Sequence, residues 1–240
     1  MSSEPVPPPP WRRSANKSAR PHLSVATIVA AALRVMDAEG LDAVSMRRVA
    51  QDLGTGAASL YAHVRNKQEL HELILEEVFR GLEVPTPDPR RWQEQLKELI
   101  GQTTRIMLAR PGTAQISLQT MIPMRPGTLA AMDATLGILR CAGIPDQIAD
   151  YAADALALYG TAYAYEASLW PSSEAGQAEA RRRITEIEEY LSTLPADRFP
   201  HLLAMMRRPF HEENGSERFE FALDIFIAGL AKYADPGLTE

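Results

Sequence analysis

Between Leu53 and Lys67 the chain reads Leu-Gly-Thr-Gly-Ala-Ala-Ser-Leu-Tyr-Ala-His-Val-Arg-Asn-Lys, and this stretch constrains the fold more than any other. Gly54 suits the left-handed residue that closes a short helix. Gly56, Ala57 and Ala58 then open a third helix of only about two turns. Asn66, with Glu69 three positions on, makes a capping-box-like start to a fourth. Two short helices joined by a glycine turn form a helix-turn-helix, whose second helix enters the major groove of DNA.

The flanking sequence supports that layout. Ser24 is placed to cap a first helix with the apolar stripe Ile28, Ala31, Ala32, Val35 and Met36, stopped by Gly40. Ser45 caps a second helix carrying Val49, Ala50 and Leu53. Residues 1–21 hold the run Pro7 to Pro10, then Trp11 and scattered Arg and Lys, and read as a disordered or polyproline-like arm. The fourth helix is expected to reach about Val84, where Pro85, Pro87 and Pro89 mark a linker. Beyond it only helical periodicity follows: about 92–110, 114–121, 127–142, 145–169, 178–194, 199–206 and 216–233. The expected fold class is all-α, divided into an arm (1–21), a three-helix DNA-binding domain (22–68) and a larger helical ligand-binding and dimerisation domain (69–240).

Charge is distributed unevenly. The 240 residues carry a net charge of -6, but Trp11 to Lys67 holds nine basic residues against four acidic ones, a local +5 that leaves -11 for the remainder. Phosphate binding needs only local positive charge, because salt screens the field within about 10 Å. Cys141 has no second cysteine to pair with in the chain, which suits a reducing compartment. The run Val25 to Leu33 is too short to span a bilayer and no signal peptide is visible, so a cytoplasmic protein without membrane association is expected.

Enzyme readings find no residues to stand on. Gly54-Thr55-Gly56 follows a helix and lacks the last glycine of a dinucleotide fingerprint. His22, His63, His71, His201 and His211 show no paired ligand spacing, so neither a metal nor another cofactor is expected.

Ile28-x-x-Ala31-Ala32-x-x-Val35, Gly40, Ser45-x-Arg47-x-Val49-Ala50, Gly54 and Ser59-Leu60-Tyr61-x-His63-Val64-x-x-Lys67 together resemble the N-terminal domain of the TetR family of bacterial repressors. Phe219-Glu220-Phe221-Ala222-Leu223-Asp224 is similar to the last helix of the tetracycline-repressor-like branch, and Trp92-Gln93 and Glu166 fall where that branch has similar residues. The resemblance implies a homodimeric repressor that holds double-stranded operator DNA and is released by a small molecule. Its expected DNA-binding residues are Ser45, Arg47, Gly56, Ala57, Ala58, Ser59, Tyr61, His63 and Lys67. Tyr61 and His63 can donate to phosphate oxygens, and Lys67 sits at a helix start. Gly56, Ala57 and Ala58 carry no long polar side chain, so specificity falls to Ser59, Arg47, backbone groups, DNA shape, or an arm whose Arg12, Arg13, Lys17 and Arg20 could enter a minor groove.

For the small molecule, the histidine and asparagine that grip drug and magnesium in the tetracycline-binding branch fall near Ser117 and Leu99 here, which argues against a magnesium-tetracycline ligand. An apolar or amphipathic ligand is expected, lined by Thr103, Met107, Ser117, Met121, Thr135, Tyr163, Glu166 and Trp170. The stripe Phe219, Leu223, Phe226, Ile227 and Leu230 is expected to need a partner protomer, and the fourth helix to be the sole bridge between the two parts. A TetR-type activator, or a helical interaction protein of this fold that does not bind DNA, is the alternative.

Overall fold

Three of the helix starts are fixed by side chains a few residues away. The computed structural model describes residues 23–120, 124–170, 173–206 and 215–239. In it the Ser24 hydroxyl accepts the Thr27 amide, and Thr27 Oγ1 accepts the Ser24 amide at 2.9 Å, a reciprocal capping box at the head of α1 (Val25–Glu39). Ser45 Oγ accepts the Arg48 amide at 3.1 Å to begin α2 (Met46–Asp52). Asn66 Oδ1 accepts the Glu69 amide at 2.8 Å to begin α4 (Lys67–Val78). Caps of this kind contribute about 1 kcal/mol each. Between α2 and α4 lies α3 (Ala57–Tyr61), reached through Gly54 at φ +63°.

The rest of the chain follows as α5 (Trp92–Ala109), α6 (Thr113–Gln119), α7 (Pro126–Cys141), α8 (Asp146–Ser168), α9 (Glu174–Ser192), α10 (Pro200–Met206), α11 (Gly215–Leu230) and a final turn, α12 (Pro236–Thr239). Among the described residues there is no strand, and no helix is long and apolar enough to cross a membrane. The arm 1–21 and Met121 lie outside the described residues.

Two apolar cores hold these helices. The first joins Ile28, Val35, Val49, Leu60, Leu70 and Ile74 of α1 to α4, and it also takes in Met107, Ala114, Ile116 and Ala164 from α5, α6 and α8. The second is built by α5, α7, α8 and α11, with Leu96, Ile138, Leu156 and Leu223 among its buried members. Burying each such side chain contributes about 1.5–3 kcal/mol. At the crossing of α5 and α8, a β-carbon on Gly160 would lie 2.6 Å from Thr104 Oγ1, so only glycine permits this approach.

Three expectations are corrected. The fourth helix ends at Val78, six residues short of Val84: Phe79 caps it and turns lead to the proline linker, because Gly81 and the Pro85-x-Pro87-x-Pro89 run disfavour further helical turns. It is also not the sole bridge. The corner between α5 and α6 packs on α1, where Arg110 pairs with Asp37 and Gly112 lies against Met36 and Leu41. Finally, Phe219, Leu223 and Ile227 do not wait for a partner. They are buried in the protomer's own second core, while Phe221 and Ile225 on another side of α11 are 67% and 58% exposed. The helix is apolar on more than one side, and periodicity alone did not say which side the protomer itself would cover.

Candidate nucleic-acid interface and effector region

Because α3 is short, everything it presents to solvent comes from a few positions. Leu60 is fully buried and anchors the helix, while Ala58, Ser59, Tyr61, Ala62 and His63 are exposed and Ala57 is half-buried. Tyr61 is 53% exposed, so its ring is available to a ligand rather than packed away on α1. Gly56, the residue before the helix, has φ -87° and ψ 149°, ordinary extended backbone, and a β-carbon there would meet nothing within 4 Å. Neither backbone conformation nor the chain's own packing requires glycine at this position.

The cations around this face divide into held and unheld. Arg34 pairs with Asp52 at 2.7 Å, Arg48 with Glu39 at 2.5 Å, and Arg65 with Glu69 at 3.1 Å. The Glu39 hydrogen bond holds the Arg48 guanidinium pKa above its usual value. Arg47 and Lys67 are exposed, and among the described residues neither has an ion-pair partner. Ser45 uses its hydroxyl oxygen to cap α2, which leaves its proton free to donate.

Behind this face, α4 presents Glu69, Glu72 and Glu76 on one side, at helical spacing. Glu69 Oε2 accepts the Arg65 amide at 2.6 Å, and that hydrogen bond first, then the Arg65 side chain, lowers the carboxyl pKa. Its other oxygen lies 3.4 Å from Arg125. Burial, with Lys67 a lesser contributor, pushes the His71 imidazole down to about 4, and its Nε2 has no partner.

The described members of the expected effector set are spread over α5, α6, α7, α8 and the residues that follow α8. Thr103 Oγ1 donates to the Ile100 carbonyl at 2.9 Å, Ser117 Oγ to the Thr113 carbonyl at 3.1 Å, and Thr135 Oγ1 to the Ala131 carbonyl at 2.9 Å. Each hydroxyl proton is thus committed within its own helix, which leaves the oxygen able to accept. Met107 is buried in the first core and lies 4.0 Å from Ser117 Oγ. Tyr163 is half-buried, its ring tilted 40° to that of Phe219 with centroids 4.8 Å apart and with the Arg218 guanidinium 5.3 Å above it. Glu166 is exposed and bound by Arg218 at 2.9 and 3.2 Å, and Trp170 is 51% exposed. Among the described residues, the Thr104 and Thr113 hydroxyls are buried without a hydrogen-bond partner, and sequence reasoning passed over both.

An open groove of about 380 Å³ lies between α8 and α11, lined by Ala152, Leu156, Ile225, Phe226 and Gly229 among others. It continues the exposed apolar side of α11, and none of the seven expected effector residues that are described lines it.

Comparison with known proteins accounts for both halves. Residues 28–74 match the family described as "Bacterial regulatory proteins, tetR family", and residues 84–234 match "Tetracyclin repressor-like, C-terminal domain". The HTH-type transcriptional repressor DrrR1 of Streptomyces coeruleorubidus is 30% identical over 226 residues, spanning 93% of this chain and 80% of that protein. Apo ActR from Streptomyces coelicolor superposes with a TM-score of 0.76 at 40% identity, covering 88% of this chain and 95% of that one. ActR in complex with actinorhodin gives 0.79 at 40% identity, covering 90% and 99%. With a matching fold, both halves accounted for and a glycine-linked α2–α3 pair at the head of the chain, the protein belongs to the TetR family of DNA-binding transcriptional regulators.

Proposed function

We propose that this protein is a homodimeric repressor that grips operator DNA through α2 and α3 and leaves it when a small apolar or amphipathic molecule occupies the C-terminal half. It has no catalytic role in this reading, and the functional division remains the head at 22–68 and the effector part at 69–240. The observation that carries it is the pair of unheld cations, Arg47 and Lys67, on either side of the exposed Ser59, Tyr61 and His63, while the neighbouring arginines are tied to carboxylates. Unpaired Arg and Lys are what phosphate binding uses, with hydroxyls and a histidine adding hydrogen bonds. Small residues at Gly56, Ala57 and Ala58 let α3 sit close to base edges, where alanine methyls meet thymine methyls.

A dimer is supported by the exposed apolar sides of α8 (Tyr151, Leu158) and α11 (Phe221, Ile225) and by the groove between them. Two protomers related by a twofold axis would present two α3 helices to half-sites about 34 Å apart. Since ActR has been solved with actinorhodin, actinorhodin is the first effector to try.

Fluorescence anisotropy on duplex DNA from the gene's own upstream region tests the reading. Lys67→Ala should weaken binding to all sequences alike and flatten the salt dependence by about one unit of slope. A wild-type protein that binds no upstream duplex in low salt overturns it.

A further inference from the structure

Three carboxylates on one side of α4 converge on the start of α7. Arg125, the residue before α7, places its guanidinium 3.4 Å from Glu69 Oε1 and 3.4 Å from Glu72 Oε2. Two residues on, the Gly127 amide donates to Glu76 Oε2 at 2.8 Å, so the third carboxylate caps the N-terminus of α7. A β-carbon on Gly127 would stand 3.2 Å from that oxygen, which shows how closely the two helices meet here. The cluster is sheltered: the side chains of Arg125, Glu69 and Glu72 are 27%, 17% and 21% exposed. Glu69 faces both ways, since its other oxygen accepts the Arg65 amide four residues after Tyr61.

We infer that Arg125 is a positioning residue for DNA binding: through Glu69 and Glu72 it holds α4, and with it α3, at the angle that fits operator half-sites. The charges explain why one arginine can matter. Three carboxylates are gathered against Arg125, the Arg65 side chain on the outer oxygen of Glu69, and the partial positive end of α7, about half a charge, and Arg125 is the one cation shared by Glu69 and Glu72. Remove Arg125, and Glu72 loses its counter-charge beside Glu69, which keeps only Arg65 on its outer oxygen, while both carboxylates stay poorly hydrated. The low-energy response is for α4 to move away from α7 until water reaches both. α4 is about 18 Å long, and the clamp engages it from its first turn to its third, so it governs tilt as well as position. In a dimer a change of tilt alters the separation of two α3 helices, and half-site spacing tolerates little error. The inference rests on the DNA-binding reading above, but it concerns a residue that touches no DNA.

The test uses the full-length protein and the tightest duplex it recovers from a random-sequence library. Arg125→Gln and Glu72→Gln should each weaken binding about five- to tenfold while leaving the salt slope unchanged. The double variant should be no weaker than the weaker single one, and Arg125→Lys should restore binding to within about twofold. Glu76→Ala, which removes the acceptor for the Gly127 amide, releases the same clamp from its other end without touching Arg125 and should also weaken binding about five- to tenfold, which keeps the test decisive if Arg125→Gln proves unstable. An Arg125 variant that binds as tightly as wild type, additive losses in the double variant, or a slope reduced by one unit each overturn the proposal. A wild type that recovers no duplex overturns the DNA-binding reading first, and this proposal with it.

Discussion

Arg110 Nε lies 3.2 Å from Asp37 Oδ1, tying the corner between α5 and α6 to the first helix of the DNA-binding head. Beside this pair, Gly112 adopts φ +94° against Met36 and Leu41. The head is therefore seated on the effector part at two places, this corner and the side of α4. A ligand signal has two routes to α3.

Gly112→Ala should destabilise the protein by about 1–3 kcal/mol, because φ is positive and the new methyl would stand 3.2 Å from both Met36 Sδ and Leu41 Cβ. Asp37→Asn should change stability by less than about 1 kcal/mol, since the pair is partly solvated. Thermal unfolding of the two variants checks the contrast. Equal losses would mean that the ion pair, not the backbone corner, seats the head.

Gly56→Ser is expected to leave thermal stability unchanged or slightly raised, as the position has ordinary backbone angles, open space and no side-chain cap. Operator affinity should nevertheless fall at least tenfold, because the added side chain would occupy space between α3 and the duplex. Unaltered affinity would show that DNA does not approach Gly56 closely.

Glu39→Gln should strengthen DNA binding and steepen its salt dependence by up to about one unit, by releasing Arg48 for a phosphate. Arg47→Ala should do the reverse. If Glu39→Gln leaves the slope unaltered, Arg48 does not face the duplex.

His71 sets a pH dependence of stability. Burial holds its pKa near 4 in the folded chain against an ordinary 6.5, so below 6.5 the unfolded chain binds the proton that the folded one refuses. Stability is complete above about pH 6.5 and falls as pH drops toward 4, with a slope approaching about 1 kcal/mol per pH unit. His71→Leu should flatten that part of the profile in denaturant titrations; a profile identical to wild type contradicts the assignment.

Phe221→Glu combined with Ile225→Glu should give a well-folded monomer, since neither residue belongs to the protomer's core. Light scattering would report the mass, and operator binding should fall sharply with loss of the second half-site contact. A dimer that survives both charges places the interface elsewhere.

The sequence determined the head because its instructions are local. Ser24, Ser45 and Asn66 cap helices through bonds to residues three positions on, and Gly54 supplies its turn through its own backbone. Such features survive in a one-dimensional reading. Which side chains are satisfied, and by whom, does not. Thr103, Ser117 and Thr135 donate their hydroxyl protons to carbonyls of their own helices, while Glu166 meets Arg218 52 positions away. The Glu69, Glu72 and Glu76 stripe was legible as helical spacing, but nothing near it in sequence pointed to Arg125, 56 positions from Glu69. The two apolar sides of α11 were visible as composition, and only packing chose which would be buried within the protomer. Caps and turns are settled within one or two turns of chain, whereas helix pairing minimises exposed apolar area over whole helix faces at once, and that choice belongs to the tertiary structure.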